Sequence, residues 1–104
     1  MTPPTDKDIY ARRVDKNQPE IVAALRKAGY RVHHTHRAGF GFPDLLVESK
    51  TRIAVLLEIK MPGEKLTEAE KKFFDEYRCP HKIVYSASEA IEFMQKCDGF
   101  SYRF

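Results

Sequence analysis

The stretch Ile53-Ala54-Val55-Leu56-Leu57-Glu58-Ile59-Lys60 constrains this chain more than any other. It has the length of a strand, and its nearly unbroken apolar character is that of a strand covered on both faces. Such a strand obliges the rest of the chain to supply neighbours for its edges and helices for its faces. Its last residues break the pattern. Glu58 and Lys60 are two apart, so both side chains leave the same face. Burying a carboxylate and an ammonium there is unfavourable unless something compensates, and rule-breaking of this kind tends to mark functional sites.

The neighbours follow along the chain. From Asn17 the pattern is helical, with Ile21, Leu25 and Ala28 on one face and Val22 beside it, and Ala28-Gly29 as its end. Tyr30 to His36 reads as a strand with Tyr30 and Val32 on one face. Gly39-Phe40-Gly41-Phe42-Pro43 is a loop whose alternate glycines permit a sharp bend or a close approach to a ligand. Asp44 to Glu48 is a second strand, and Ser49 to Arg52 turns into the third, Ile53 to Lys60. Pro62-Gly63 breaks the chain. Thr67-Glu68-Ala69-Glu70 is a capping box opening a helix to about Tyr77, with Phe73, Phe74 and Tyr77 expected on its buried side. Lys82 to Tyr85 is a fourth strand, Ser86 or Ser88 caps a last helix through Met94, and Phe100 to Phe104 reads as a final short strand. The order α-β-β-β-α-β-α predicts an α/β domain, a mixed central sheet flanked by helices.

The 104 residues fit one domain, expected over 9–104 behind a polar, disordered tail at 1–8. Hydrophobic residues make up 42% and charged residues 32%, a globular balance that excludes a disordered or fibrous chain. A net charge of +3 permits nucleic-acid binding without demanding it. No apolar run is long enough to span a membrane and no signal peptide opens the chain, so a cytoplasmic protein without a membrane partner is expected. Cys79 and Cys97 form no paired motif and are expected as reduced thiols, with Cys79 buried at a helix end. A chain this small has a modest core, and its seven Phe and five Tyr exceed what that core readily hides. A homodimer is therefore expected.

Asp44 opens the strand before the central one, beside the glycine loop. If it shares a face with Glu58, two carboxylates lie a few ångströms apart and call for a cation, for which their oxygens suit Mg²⁺ or Mn²⁺. The Ile59 backbone carbonyl is a further candidate metal ligand. Lys60 could orient or deprotonate an attacking water, or stabilise charge on a phosphate. Register is the condition. A two-residue turn pairing Ser49 with Arg52 puts Asp44 opposite Leu57, on the wrong face, whereas Ser49 opposite Ile53 puts Asp44 opposite Glu58. The site therefore requires an odd-length connection or a bulge.

Pro43-Asp44 followed by Glu58-Ile59-Lys60 resembles the PD-(D/E)XK nuclease signature. Together with Asn17-Gln18-Pro19-Glu20-Ile21-Val22, Gly29-Tyr30-Arg31-Val32, Gly41-Phe42-Pro43-Asp44-Leu45-Leu46-Val47 and the Leu66-Thr67 pair with Glu70, it resembles the VRR-NUC branch over roughly Asn17 to Tyr85. Small stand-alone members of that branch occur in phages and prophages. The resemblance implies a fold like that of restriction endonucleases and Holliday-junction resolvases, Mg²⁺ or Mn²⁺ as the cofactor, and endonuclease action on branched or otherwise structured DNA, often by a homodimer. Asp44, Glu58 and Lys60 match the family's metal ligands and lysine. Glu20 matches its first-helix glutamate, a catalytic group that could support the metal through water. Glu70 stands where many relatives have Gln, which puts a phosphate contact there in doubt.

Other readings stand beside these. Asn17-Gln18-Pro19-Glu20 also fits a helix start with Asn17 as cap and Glu20 at its third position. His33, His34 and His36 lack zinc spacing and read as an exposed face or a phosphate contact. Arg37, Lys65, Lys71 and Lys72 could line a DNA path or simply be solvated. The alternatives to a structure-directed endonuclease are a nucleic-acid-binding module with a vestigial site and a sequence-specific restriction-type nuclease. The second lacks the extra length that usually carries target recognition, and no small-molecule cofactor is called for.

Overall fold

The computed structural model describes residues 16–100, so the tail at 1–8 and most of the expected last strand lie outside the described residues. The elements are α1 (Gln18–Lys27), β1 (Arg31–His34), β2 (Leu45–Glu48), β3 (Ala54–Ile59), α2 (Glu68–Glu76), β4 (His81–Val84) and α3 (Ala87–Asp98), with a 3-10 turn at His36–Ala38. This is the expected α-β-β-β-α-β-α order. The four strands form one mixed sheet in the order β1-β2-β3-β4, with β1–β2 and β2–β3 antiparallel and β3–β4 parallel. The apolar strand β3 is central, as its composition requires.

Strand alternation sorts the side chains. Val32, Leu45, Val47, Val55, Leu57, Ile59 and Val84 share one face, and all are buried. Helices α1 and α3 cover that face with Ile21, Val22, Leu25, Ala90, Met94 and Cys97, closing a single core. The opposite face carries Leu46, Leu56, Glu58 and Ile83 and looks toward α2. The layers are thus a helix pair, the sheet, and a single short helix.

Local chemistry sets the ends of the elements. Gly29 has a φ of 95°, and the N–H groups of Gly29 and Tyr30 return to the carbonyls of Arg26 and Leu25. This double closure is the Schellman arrangement that glycine permits. Thr67 and Glu70 form the expected reciprocal capping box of α2. Of the two candidate serines, Ser86 caps α3, its hydroxyl accepting from the Glu89 N–H.

Three local expectations are corrected. The first strand stops at His34, because Thr35 turns into the 3-10 segment and His36 leaves the sheet. No residue of α2 is fully buried. Phe73, Phe74 and Tyr77 are nevertheless half-buried on the side where they were expected, while the helix residues between and around them, Glu70 apart, are exposed. They form an aromatic group, with Phe73 stacked on Tyr77 at 5.2 Å and Phe74 stacked on His81 at 4.8 Å. Cys79 is exposed, since α2 ends before it, whereas Cys97 is buried. Phe100, the only described residue of the expected last strand, belongs to no strand.

Candidate functional site

The β2–β3 connection decides whether the site exists. Ser49 donates its N–H to the Ile53 carbonyl at 2.9 Å, closing a three-residue loop, Lys50 to Arg52. The last loop residue, Arg52, takes a φ of 67°, as the third position of such hairpins requires. The Ser49 hydroxyl accepts from the Ile53 N–H at 2.8 Å and holds the turn. The odd loop length gives the register Leu45 opposite Leu57. One step further, Asp44 lies opposite Glu58, and both side chains leave the face toward α2.

Asp44 accepts the Ile59 N–H through Oδ2 at 2.8 Å. The N–H and carbonyl of one strand residue point to the same side, so the Ile59 carbonyl also faces the β2 side. The residue opposite Ile59 in this register is Pro43, which has no N–H to offer. The Ile59 carbonyl therefore keeps a lone pair for another partner, a physical reason for proline before Asp44.

Glu58 is 3% exposed and Lys60 7%. Lys60 Nζ is 2.8 Å from Glu70 Oε1 and 3.8 Å from Glu58 Oε1. Glu70 Oε1 also accepts the Thr67 N–H at 2.8 Å, so one carboxylate both caps α2 and holds the lysine. Among the described residues, Glu58 Oε2 is buried and has no hydrogen-bond partner.

The electrostatics follow from this crowding. Burial, reinforced by the charge of Asp44 and the proximity of Glu70, pushes the Glu58 carboxyl up to about 10. Burial also raises Asp44, against the pull of the Ile59 N–H. Burial acts to raise Glu70 too, but its interactions with Glu58, Lys60 and the Thr67 N–H prevail and lower it to about 2. Burial acts to lower Lys60, and the contact with Glu70 outweighs it and raises it. At neutral pH the metal-free cluster thus keeps a proton on Glu58 between two other carboxyls.

Among the described residues, no group of three or more His, Cys, Asp and Glu side chains is arranged to hold a metal ion. A Mg²⁺ ion commonly uses one or two carboxylates and fills the rest of its shell with other oxygens. Asp44, Glu58 with its unpartnered oxygen, and the Ile59 carbonyl fit that demand.

The remaining expected residues are spread around this cluster. Glu20 is exposed in the first turn of α1, and among the described residues no hydrogen bond or ion pair joins it to Asp44, Glu58 or Lys60. Asn17 makes no side-chain cap. Its Nδ2 donates instead to the carbonyls of Lys60 and Tyr85, at 3.1 and 3.0 Å, fastening the start of α1 to the ends of β3 and β4. Arg37, Lys65, Lys71 and Lys72 are all exposed, and Lys71 forms a surface pair with Glu68 at 3.4 Å. His33 lies 2.6 Å from Glu48, while the His34 and His36 rings meet edge-on at 6.4 Å. Burial lowers the His36 pKa, with His34 and Arg37 adding to the effect.

One residue of the cluster, Glu70, was absent from the expected site, and one buried polar residue outside it, Gln18, was not foreseen. Glu70 was legible as a helix cap, but its second role depends on α2 folding back over Lys60. Gln18 is fully buried, and among the described residues neither its Oε1 nor its Nε2 has a partner. Its spacing from Ile21, Val22 and Leu25 is that of the apolar helix face, which was signal enough for its burial.

Comparison with known proteins finds no matching family model, no matching curated protein and no matching solved structure. Among the described residues, no helix is long and apolar enough to cross a membrane.

Proposed function

We propose that this chain is a divalent-metal-dependent endonuclease of the PD-(D/E)XK type, with Asp44, Glu58 and the Ile59 carbonyl as metal ligands and Lys60 as its catalytic cation. The observation that carries the reading is the three-residue β2–β3 loop, which sets Asp44 opposite Glu58 on the face that also presents Lys60. Nothing in the core requires three carboxyls and a lysine at the end of a central strand.

The ion, Mg²⁺ or Mn²⁺, would take the place of the proton that Glu58 otherwise holds. Its chemistry is to neutralise phosphate charge and lower the pKa of a water. The chain's own groups do the rest. Asp44 is oriented by the Ile59 N–H, and Pro43 leaves the Ile59 carbonyl open. Lys60, kept cationic and positioned by Glu70, faces the charge that grows on a phosphodiester during attack. Glu20, if it takes part, acts from the exposed start of α1 through an intervening water. Exposed Arg37, Lys65 and Lys72 are available for phosphate contacts. Cutting both strands of a duplex needs two such sites, which a two-fold homodimer supplies. The reading retains the resemblance to small phage-encoded VRR-NUC proteins.

The test is a cleavage assay on nicked, flapped, forked, four-way and plain duplex DNA, with Mg²⁺ or Mn²⁺ and with EDTA. Cleavage is expected with metal and not in EDTA, and Asp44→Ala is expected to abolish both cleavage and Mn²⁺ binding by calorimetry. Robust cleavage in EDTA, or unchanged Mn²⁺ affinity in Asp44→Ala, overturns the assignment.

A further inference from the structure

Phe40 is 97% exposed. Its backbone has a φ of 55°, in the left-handed region that bulky side chains avoid. Gly39 and Gly41 on either side are also left-handed, at 74° and 80°. Such a loop could be loose, yet this one is fastened. A Cβ on Gly41 would lie 2.3 Å from the Ala69 carbonyl oxygen and 2.7 Å from the Glu70 nitrogen, so the loop rests directly on the first turn of α2. Phe42 donates its N–H to the Gly39 carbonyl at 3.0 Å, and its ring meets Phe73 edge-on at 5.1 Å. Thr35 holds the other end, its N–H donating to the Asp44 carbonyl at 2.9 Å and its hydroxyl to the Pro43 carbonyl at 2.8 Å. The loop is fastened at both ends, and at its apex stands an aromatic ring that contributes nothing to the core. Glycine or asparagine would close the same turn with less strain.

The position supplies the meaning. Phe40 precedes Asp44 by four residues, the loop touches the helix turn that carries Glu70, and exposed Arg37 lies three residues upstream. A solvent-facing ring on a fastened loop, against the helix turn that carries Glu70 and with a cation three residues upstream, suits the flat face of a nucleobase. In an intact duplex both faces of a base are already stacked, so the ring needs a base that is unpaired. We propose that Phe40 stacks on an unpaired nucleobase of the DNA held at the Asp44–Glu58–Lys60 site, so that the chain selects DNA with an unpaired base next to a duplex. This rests on the nuclease reading of that site and names its substrate class.

The test uses the full chain in Ca²⁺ with a duplex bearing a short flap, 2-aminopurine at its first unpaired position, and a fully paired control. Phe40→Asn keeps a residue that tolerates the left-handed backbone, and Phe40→Trp keeps the ring. Wild type and Phe40→Trp are expected to bind the flap on the order of tenfold more tightly than Phe40→Asn and to quench the probe. Phe40→Asn is expected to melt at or above the wild-type temperature, whereas a clearly lower melting temperature marks a structural role and overturns the proposal. Equal flap affinity and quenching in Phe40→Asn also overturns it. So does a change of oligomeric state by light scattering with DNA affinity unchanged, which marks a protein contact instead. If wild type cleaves in Mg²⁺ while Phe40→Asn binds the flap equally well, only this inference fails; if wild type neither binds nor cleaves DNA, both readings fall.

Discussion

Val55, Leu57 and Ile59 leave one face of β3, Leu56, Glu58 and Lys60 leave the other, and all six are buried. On the first face α1 and α3 pack side chains that are themselves inaccessible, and the contacts are almost wholly apolar. On the second, α2 lies over the polar end of the strand without burying any of its own residues completely. The first face gains from every ångström of burial. The second holds carboxyls whose charged forms burial disfavours, held in part by Lys60 and the Thr67 N–H. A thin cover suits the proposed role of this face, since groups that meet a charged ligand must be shielded and still reachable.

If this division is right, substitutions on the two faces separate stability from activity. Glu58→Gln replaces a carboxyl that is already protonated at neutral pH in the metal-free protein, so the fold is expected to stand with a melting temperature unchanged or raised. The amide cannot become an anionic ligand, and cleavage is expected to fall by roughly a thousandfold or more, as losses of transition-state charge stabilisation do. Single-turnover rates and melting curves on one preparation check this. Near-normal cleavage by Glu58→Gln removes the distinction between the faces.

Leu57→Ala, one residue away and fully buried on the opposite face, is expected to do the reverse. Removing those methyl groups from a packed core costs about 2–5 kcal/mol, measurable by urea unfolding. In the fraction that remains folded, cleavage per molecule is expected to stay within a few-fold of wild type. A stability loss below about 1 kcal/mol would mean that this face is not close-packed.

Gln18 is the exception on the apolar side, a buried amide without partners at the start of α1. Gln18→Met conserves length and removes two unsatisfied polar atoms, so a gain of about 1–2 kcal/mol is expected. If stability falls instead, the amide has partners in solution, an ordered water being the simplest.

Much of this arrangement was legible before the fold. The apolar run from Ile53 named the central strand, and the length of the Ser49–Arg52 turn posed the register question that the three-residue loop answers in favour of Asp44 and Glu58. Thr67 and Glu70 announced their own capping box. Long-range packing was not legible. Asn17 has the local chemistry of a cap, but the ends of β3 and β4 offer it two carbonyls, and they win. Phe73, Phe74 and Tyr77 line the covered side of α2 as their spacing predicts, but their partners, one another and His81, are set by packing across the chain. The same limit hid the Glu70–Lys60 pair, which joins a helix cap to a strand end across a chain reversal.

The smallest expected effect lies at the rim of the apolar face, where Tyr30, Lys50 and Asp98 are matched to one another. The Tyr30 hydroxyl donates to Asp98 Oδ2 at 2.5 Å, the Lys50 N–H donates to Asp98 Oδ1 at 2.8 Å, and the Lys50 ammonium lies 4.9 Å from the centre of the Tyr30 ring. This clasp joins the start of β1, the β2–β3 turn and the end of α3. Burial, then the bond to Asp98 and its charge, raises the Tyr30 phenol from its ordinary value of 10.0 to about 12. The folded state therefore holds the phenolic proton more tightly than the unfolded state does. By linkage, this contribution is fully present below pH 10 and is lost as pH rises from 10 through about 12. Melting temperature measured across that window is expected to fall more steeply for wild type than for Tyr30→Phe, which has no proton to lose. Asp98→Asn removes the bond to a charged acceptor and is expected to lie between them, because burial, the largest cause, remains. Parallel slopes for wild type and Tyr30→Phe would show that the clasp does not hold the phenol in its neutral form.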